Sequence, residues 1–240
     1  MPENFFIAKG EAFRVNLLNL VDFKESKEQK FPPALTSTVR FYDGSKKEDI
    51  KISASDSLPL VTSRKLENSG LILLTVEQNT AESTHPKKEF LNWLRENGLD
   101  QLEKMAKAKS KDVFIKKNLI CSKTLAMADK PSGGLFNQKT GLTLEIVLQQ
   151  NPYKMQYGDD MTAEILFKGK PHANGRVDVL TIASNGAVFK QNYSTDKGGR
   201  IYFKLNRAGS WMIRTIHMLP LQDGNIDFES FSSNYTFGFR

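Results

Sequence analysis

Between Gly141 and Leu219, turn residues and alternating strands agree position after position, and this stretch constrains the fold more than any other. Punctuation falls at Asn151-Pro152-Tyr153, Gly158-Asp159, Lys168-Gly169-Lys170-Pro171, Asn174-Gly175 and Thr195-Asp196-Lys197-Gly198-Gly199. The runs between, 142–148, 161–167, 176–183, 187–193, 200–205 and 211–219, are short and rich in β-formers. Short strands at even spacing, separated by Gly, Asn and Asp, predict an antiparallel sandwich. Asn174-Gly175 offers the two positive-φ residues of a tight hairpin. In residues 195–200, Asp196 can accept a backbone N–H early in the turn while the glycines take left-handed angles. Ile201, Phe203 and Leu205 then alternate with Tyr202, Lys204 and Asn206, so one face is expected to be buried and the other wet.

The first half reads as a second β unit. Residues 5–7, 12–20, 36–42, 48–53, 58–63 and 70–77 suit strands, with breaks at Lys9-Gly10-Glu11, Asp43-Gly44 and Asn68-Ser69-Gly70. The charged segment 22–34, which holds Phe31-Pro32-Pro33, predicts an exposed loop. Residues 85–109 change period and read as helical. Ser83 or Thr84 is the expected N-cap and Pro86 suits the first turn. Phe90, Leu91, Trp93 and Leu94 form one apolar stripe. Asn97-Gly98 reads as a stop, after which a second helix from Leu99 carries Leu102, Met105 and Ala106.

In 107–123, Lys107, Lys109, Lys111, Lys116, Lys117 and Lys123 surround Val113, Phe114, Ile115, Leu119 and Ile120. That pattern fits either an anionic partner or a helix with a solvated lysine face, and the helix is the expectation. Pro131-Ser132-Gly133-Gly134 is the best linker. The chain is thus expected to be mainly β: two antiparallel sandwiches, immunoglobulin-like or transthyretin-like. The first covers 1–130 with a helical insertion near 85–118, the second 131–240 with a final aromatic strand through Phe228, Phe231 and Phe237.

At 240 residues the chain can bury two cores. Its net charge of +7 is spread rather than gathered on a nucleic-acid motif, so no nucleic-acid partner is expected. Cys121 is the single cysteine, which excludes an intrachain disulfide. No apolar run reaches the roughly 20 residues of a membrane span, and the N-terminus lacks a signal-peptide pattern. There is no Gly-x-Ser-x-Gly elbow, Walker loop or His-Glu-x-x-His, so no catalytic residue and no organic cofactor is assigned, and a hydrolase ranks last. Three histidines remain as ligand candidates. His85 precedes a proline at a helix start and reads as a capping or surface residue. His172 lies in the turn 170–175. His217 sits near the end of a strand beside Met218, an imidazole next to a thioether. The expected metal residues are His217 and His172.

The ordered run from Gly141-x-Thr143-Leu144-Glu145-Ile146-Val147 through Asn151-Pro152-Tyr153, Gly158-Asp159, Phe167-Lys168-Gly169-Lys170-Pro171, Thr195-Asp196-x-x-Gly199-Arg200 and Gly209-x-Trp211-x-Ile213-Arg214-x-x-His217-Met218 resembles a bacterial family of periplasmic proteins. Pro2-x-x-Phe5, Gly10-Glu11, Phe90-x-x-x-Leu94-x-x-x-Gly98-Leu99, Phe228-Glu229-Ser230 and Thr236-Phe237 extend the resemblance over most of the chain. Members of that family are described as periplasmic components of cobalt/nickel ABC-type uptake systems, or as a domain of unknown function. The resemblance implies a non-enzymatic periplasmic protein whose leader lies outside this chain, a nickel or cobalt ion as its metal, and a membrane transporter component as its partner. Members typically carry a His-Glu-Phe-Trp-like segment after the leader, which would lie just upstream of Met1. Of the matched positions, His217 is the one that carries a ligand over. The Thr-Asp-x-x-Gly hairpin is also similar to those of transthyretin-like and bacterial immunoglobulin-like modules. That likeness implies the alternative: an envelope module that binds protein or glycan without metal.

Overall fold

The computed structural model describes residues 1–16, 20–21, 24–25, 36–44, 46–50, 60–80, 82–222 and 224–240. Of the expected loop at 22–34, residues 24–25 alone are described, and they form strand; its remainder, and parts of the expected strands 12–20, 48–53 and 58–63, lie outside the described residues. The first half contributes β1 (Phe6–Ile7), β2 (Ala12–Asn16), β3 (Leu20–Val21), β4 (Lys24–Glu25), β5 (Thr36–Asp43), β6 (Lys46–Asp49), β7 (Leu60–Lys65), β8 (Gly70–Asn79) and β9 (Ser83–Pro86). Helices α1 (Lys87–Glu96) and α2 (Asp100–Ala108) follow, then the long β10 (Val113–Ala128). The second half holds β11 (Leu144–Leu148), β12 (Asp160–Phe167), β13 (Lys170–Pro171), β14 (Arg176–Ile182) and β15 (Val188–Ser194). It closes with β16 (Arg200–Lys204), β17 (Gly209–Pro220) and β18 (Phe228–Phe239). The fold is mainly β, as its turn chemistry predicts.

Strand β10 is the spine. One edge takes β9 and then β8, both antiparallel; the other takes β18 and then β1, both parallel. A ten-stranded sheet results, in the order β15-β14-β17-β18-β10-β8-β5-β6 with β1 and β9 on β10. Strands from both sides of residues 130–131 therefore share one sheet. A smaller sheet of β11, β12, β13 and β16 covers one face of the second half.

Alternation along the central strands explains what each face meets. Odd-numbered residues of β10, β17 and β18, among them Cys121, Leu125, Trp211, Ile213, Tyr235 and Phe237, pack on Leu144, Ile146, Ile165 and Phe203 of the small sheet in the main core. On the other face, the even row begins with Phe114, Met218 and Phe228 beneath Phe90 and Leu94 of α1. It ends with Ala126 and Ala128 beside Phe13, Val15 and Leu74. Lys123 of β10 and Glu145 of β11, both fully buried, join at 2.5 Å between the two sheets.

Three expectations change. Residues 113–118 form strand, not helix, because a period of two buries Phe114 beneath α1 while β9 pairs one edge and, from Lys116 on, β18 supplies a parallel partner from far along the chain. Ser83 and Thr84 lie in β9 paired to β10, and Pro86 itself stands at the N-cap of α1. The tight two-residue hairpin falls at Lys168-Gly169, φ 49° and 77°, between the paired Phe167 and Lys170. At 174–175 Asn174 alone has a positive φ, 56°.

Candidate functional site

His172 and His217 come from different sheets and meet. His172 follows β13, whose course is fixed by the Lys168-Gly169 turn and by the His172 N–H donating to the Ile165 carbonyl at 2.9 Å. His217 lies near the end of β17, in the odd row that faces the small sheet and opposite Phe231 of β18. The ring centroids stand 4.7 Å apart in an edge-on arrangement. Phe167 packs 4.3 Å from His217 and 6.5 Å from His172, and Phe231 lies 5.0 Å from Phe167. Lys168 caps this aromatic corner, its ammonium 5.3 Å from the Phe167 ring and 5.9 Å from that of Phe231.

Two glycines and a threonine hold His172 in place. A Cβ on Gly175 would stand 2.6 Å from the His172 Cδ2 and Nε2 atoms, so this glycine leaves room for the imidazole. Gly199, at φ +74°, lies so close that a Cβ would meet the Ile165 carbonyl oxygen at 2.6 Å and the His172 nitrogen at 2.9 Å. The Thr195 hydroxyl donates to the His172 carbonyl at 2.6 Å and accepts from the Gly175 N–H at 2.8 Å. Asp196 accepts from the N–H groups of Gly198 and Arg200, each at 2.8 Å, as the turn chemistry predicts, and so shapes the loop carrying Gly199.

Burial, then the neighbouring His172 and Lys168, push His217 down to about 4, and burial lowers His172 as well. Both rings are therefore neutral at pH 7, the form in which imidazole binds metal. Among the described residues neither ring nitrogen pair has a hydrogen-bond partner, and no buried side-chain nitrogen or oxygen lacks one. The unpartnered ring nitrogens of this half-buried pair are therefore not sealed off from solvent.

The remaining candidates lie elsewhere. Met218 points to the opposite face from His217 and is buried beneath α1 with Phe90 and Phe228, because successive strand residues alternate. The thioether beside the imidazole in sequence is thus behind the sheet in space. His85 lies in β9, half-buried 6.0 Å from Phe90 and 2.9 Å from the Ser83 hydroxyl. Cys121 is fully buried and its thiol is pushed up to about 12 by burial, so it supplies no thiolate. Among the described residues no group of three or more His, Cys, Asp or Glu gathers around an ion-sized space. The pair therefore offers two donors of the four or six that a nickel or cobalt ion takes. Sequence reading missed Phe167, Phe231 and Lys168; the alternation of 228–239 was the available signal for Phe231.

Residues 1–219 match the family described as a domain of unknown function, DUF4198. The chain belongs to that family. Both His172 and His217 fall inside the matched DUF4198 span, whereas β18 lies beyond it. No curated protein matches the chain. Among solved structures the DUF4198 chain is similar to the D0-D1 domain of Intimin at 11% identity, covering 100% of this chain and 96% of that one with a TM-score of 0.24. No helix among the described residues is long and apolar enough to cross a membrane.

Proposed function

We propose that the protein is a non-catalytic periplasmic component of transition-metal uptake, in which His172 and His217 form a two-imidazole landing point for nickel or cobalt carried as cargo. The observation behind this reading is the 4.7 Å approach of two half-buried imidazoles from different parts of the chain. Imidazole suits nickel and cobalt. Two protein donors leave most of the coordination sphere to water or to a partner, which favours handing an ion on over storing it. A membrane transporter component is the partner that completes the site. The resemblance to periplasmic components of cobalt/nickel uptake systems supports the same reading.

Calorimetric titration of the purified chain with nickel and cobalt salts tests it. One weak site is expected, lost in both His172→Ala and His217→Ala. No heat above buffer in the native chain would remove the proposal, and unchanged binding in either variant would remove the pair as its seat.

A second reading, an envelope module that binds protein or glycan without metal, draws on one observation. Edge strand β15 exposes Val188 and Phe189, and Tyr202 and Tyr157 stand 58% and 74% exposed on the second half. A chain that binds no metal yet is retained on a glycan array would favour it.

A further inference from the structure

On the face of the large sheet turned away from the small one, the even row changes character between its two apolar ends. Along β10 it reads Lys116, Asn118, Ile120, Ser122 and Thr124; along β18 it reads Ser230, Ser232, Asn234 and Thr236. These residues floor a cavity of about 320 Å³, walled by Trp93 of α1 on one side and by Val15 and Asn16 of β2 on the other. That volume holds about ten waters and lies at the small end of the range for organic-ligand sites.

Polar residues in the middle of a ten-stranded sheet, on a face that is apolar at both ends, are not what packing alone selects. Lys116 is the sharpest case. It is 8% exposed, and its ammonium, with no hydrogen-bond acceptor and no ion-pair partner among the described residues, is not sealed in the protein but opens onto the cavity. Its one close contact is the Trp93 ring, 3.8 Å from ammonium to centroid. A cation whose stem is buried and which has no counter-charge keeps only cavity water as partner, a place that a negatively charged ligand group fills to advantage. The other ionisable side chain lining the cavity, Arg214, is also cationic and already donates to Asp178 at 3.1 Å. No Asp or Glu lines the cavity among the described residues. The missing charge is therefore negative and belongs to whatever enters. The aliphatic faces of Val76, Ile120 and Ile216, with the Trp93 indole, suit an apolar body rather than a second charge.

We propose that this cavity binds a small organic monocarboxylate, with its carboxylate on Lys116 beside Trp93 and its apolar body against Ile120 and Ile216. Hydroxyl and amide groups of Ser230, Ser232 and Asn118 on the floor fix its orientation. A zwitterion is rejected, because its ammonium would meet Lys116 and Arg214 with no acidic side chain to receive it. The site is separate from the histidine pair, which lies on the other face of the sheet, and does not depend on the metal reading.

The test uses three probes of one shape: phenylpropanoate, its uncharged amide, and zwitterionic phenylalanine. Each is titrated calorimetrically into the full chain at pH 7 with a metal chelator present. The carboxylate is expected to bind at least tenfold more tightly than the amide, and phenylalanine not at all. Lys116→Met keeps the side-chain length against Trp93 and removes the charge. It should bring carboxylate affinity down to that of the amide and leave amide binding unchanged. Ser232→Phe, which fills the cavity from its floor without touching Lys116, should abolish binding of both. Equal affinity for carboxylate and amide, binding of phenylalanine, no binding of any probe, or full carboxylate affinity in either variant would overturn the proposal.

Discussion

Breaking the Lys123–Glu145 pair measures how strongly one side-chain contact ties the two sheets together. Both side chains are almost wholly buried, 1% and 3% exposed, with Nζ 2.5 Å from Oε1. Their remaining partners are unequal. Lys123 has one further acceptor, the Gln138 carbonyl at 2.8 Å. Glu145 accepts from the Thr140 N–H at 2.5 Å, the Thr140 hydroxyl at 2.8 Å and the Gly141 N–H at 3.1 Å. Removing one member of a buried ion pair costs about 3–5 kcal/mol. Lys123→Met leaves a carboxylate with three donors, so it belongs near the lower end, about 3 kcal/mol. Glu145→Leu leaves an ammonium with one acceptor and strands three donors, so about 5 kcal/mol is expected. At about 2–4 °C per kcal/mol for a chain of this length, Tm should fall by about 6–12 °C and 10–20 °C. The double variant loses the same pair only once. It should cost no more than Glu145→Leu, a coupling of about 3 kcal/mol. Urea unfolding of all four proteins, followed by tryptophan fluorescence, gives the cycle. Additive costs, or a Lys123→Met variant within about 1 kcal/mol of the native chain, would refute the argument.

Two further outcomes follow from the sites. Burial holds the Lys116 amine at about 8, below its ordinary 10.5, so the folded chain binds fewer protons than the unfolded one between those values and stability rises with pH across that window. The gap is worth about 3 kcal/mol, offset by about 1 from the Trp93 contact. Lys116→Met should therefore be more stable by about 2 kcal/mol at pH 7, with the gain gone by pH 10.5; thermal unfolding at both pH values checks it, and a less stable variant at pH 7 counts against it. Gly175→Ala needs no forbidden backbone angle and collides only with a side-chain ring, so Tm should hold while the His172 imidazole is displaced. Nickel titration should then show at least a several-fold loss, and undiminished binding would mean the ring does not need its present place.

Where structure is written in neighbouring residues, the sequence announces it. The expected run 161–167 is β12 at Asp160–Phe167, and 176–183 is β14 at Arg176–Ile182, because glycines, Asn and Asp beside them fix the turns locally. Strand β10 was illegible for the opposite reason. Lysines at 107–123 mimic a solvated helix face, and β10's partner β18 lies more than 100 positions later, as the Thr124–Thr236 hydrogen bond across 112 residues shows. His172 and His217 could be picked out by residue type, yet their meeting depends on the Lys168-Gly169 turn and on Gly175, whose reason for being a glycine is an imidazole rather than a dihedral. Lys116 looked like one more surface lysine. Only the parity of β10, with Leu119, Cys121 and Leu125 facing the core, sends it into the sheet's other face.

The parallel union of β10 with β18 also sets an order in time. Nine successive residues of the spine, Lys116 to Thr124, register against Phe228 to Thr236. A nascent chain, emerging from its N-terminus, must carry its longest strand with one flank unsatisfied until those late residues arrive. The large sheet can thus close only once β18 has been made, which leaves the parallel flank of β10 open to other pairings until then.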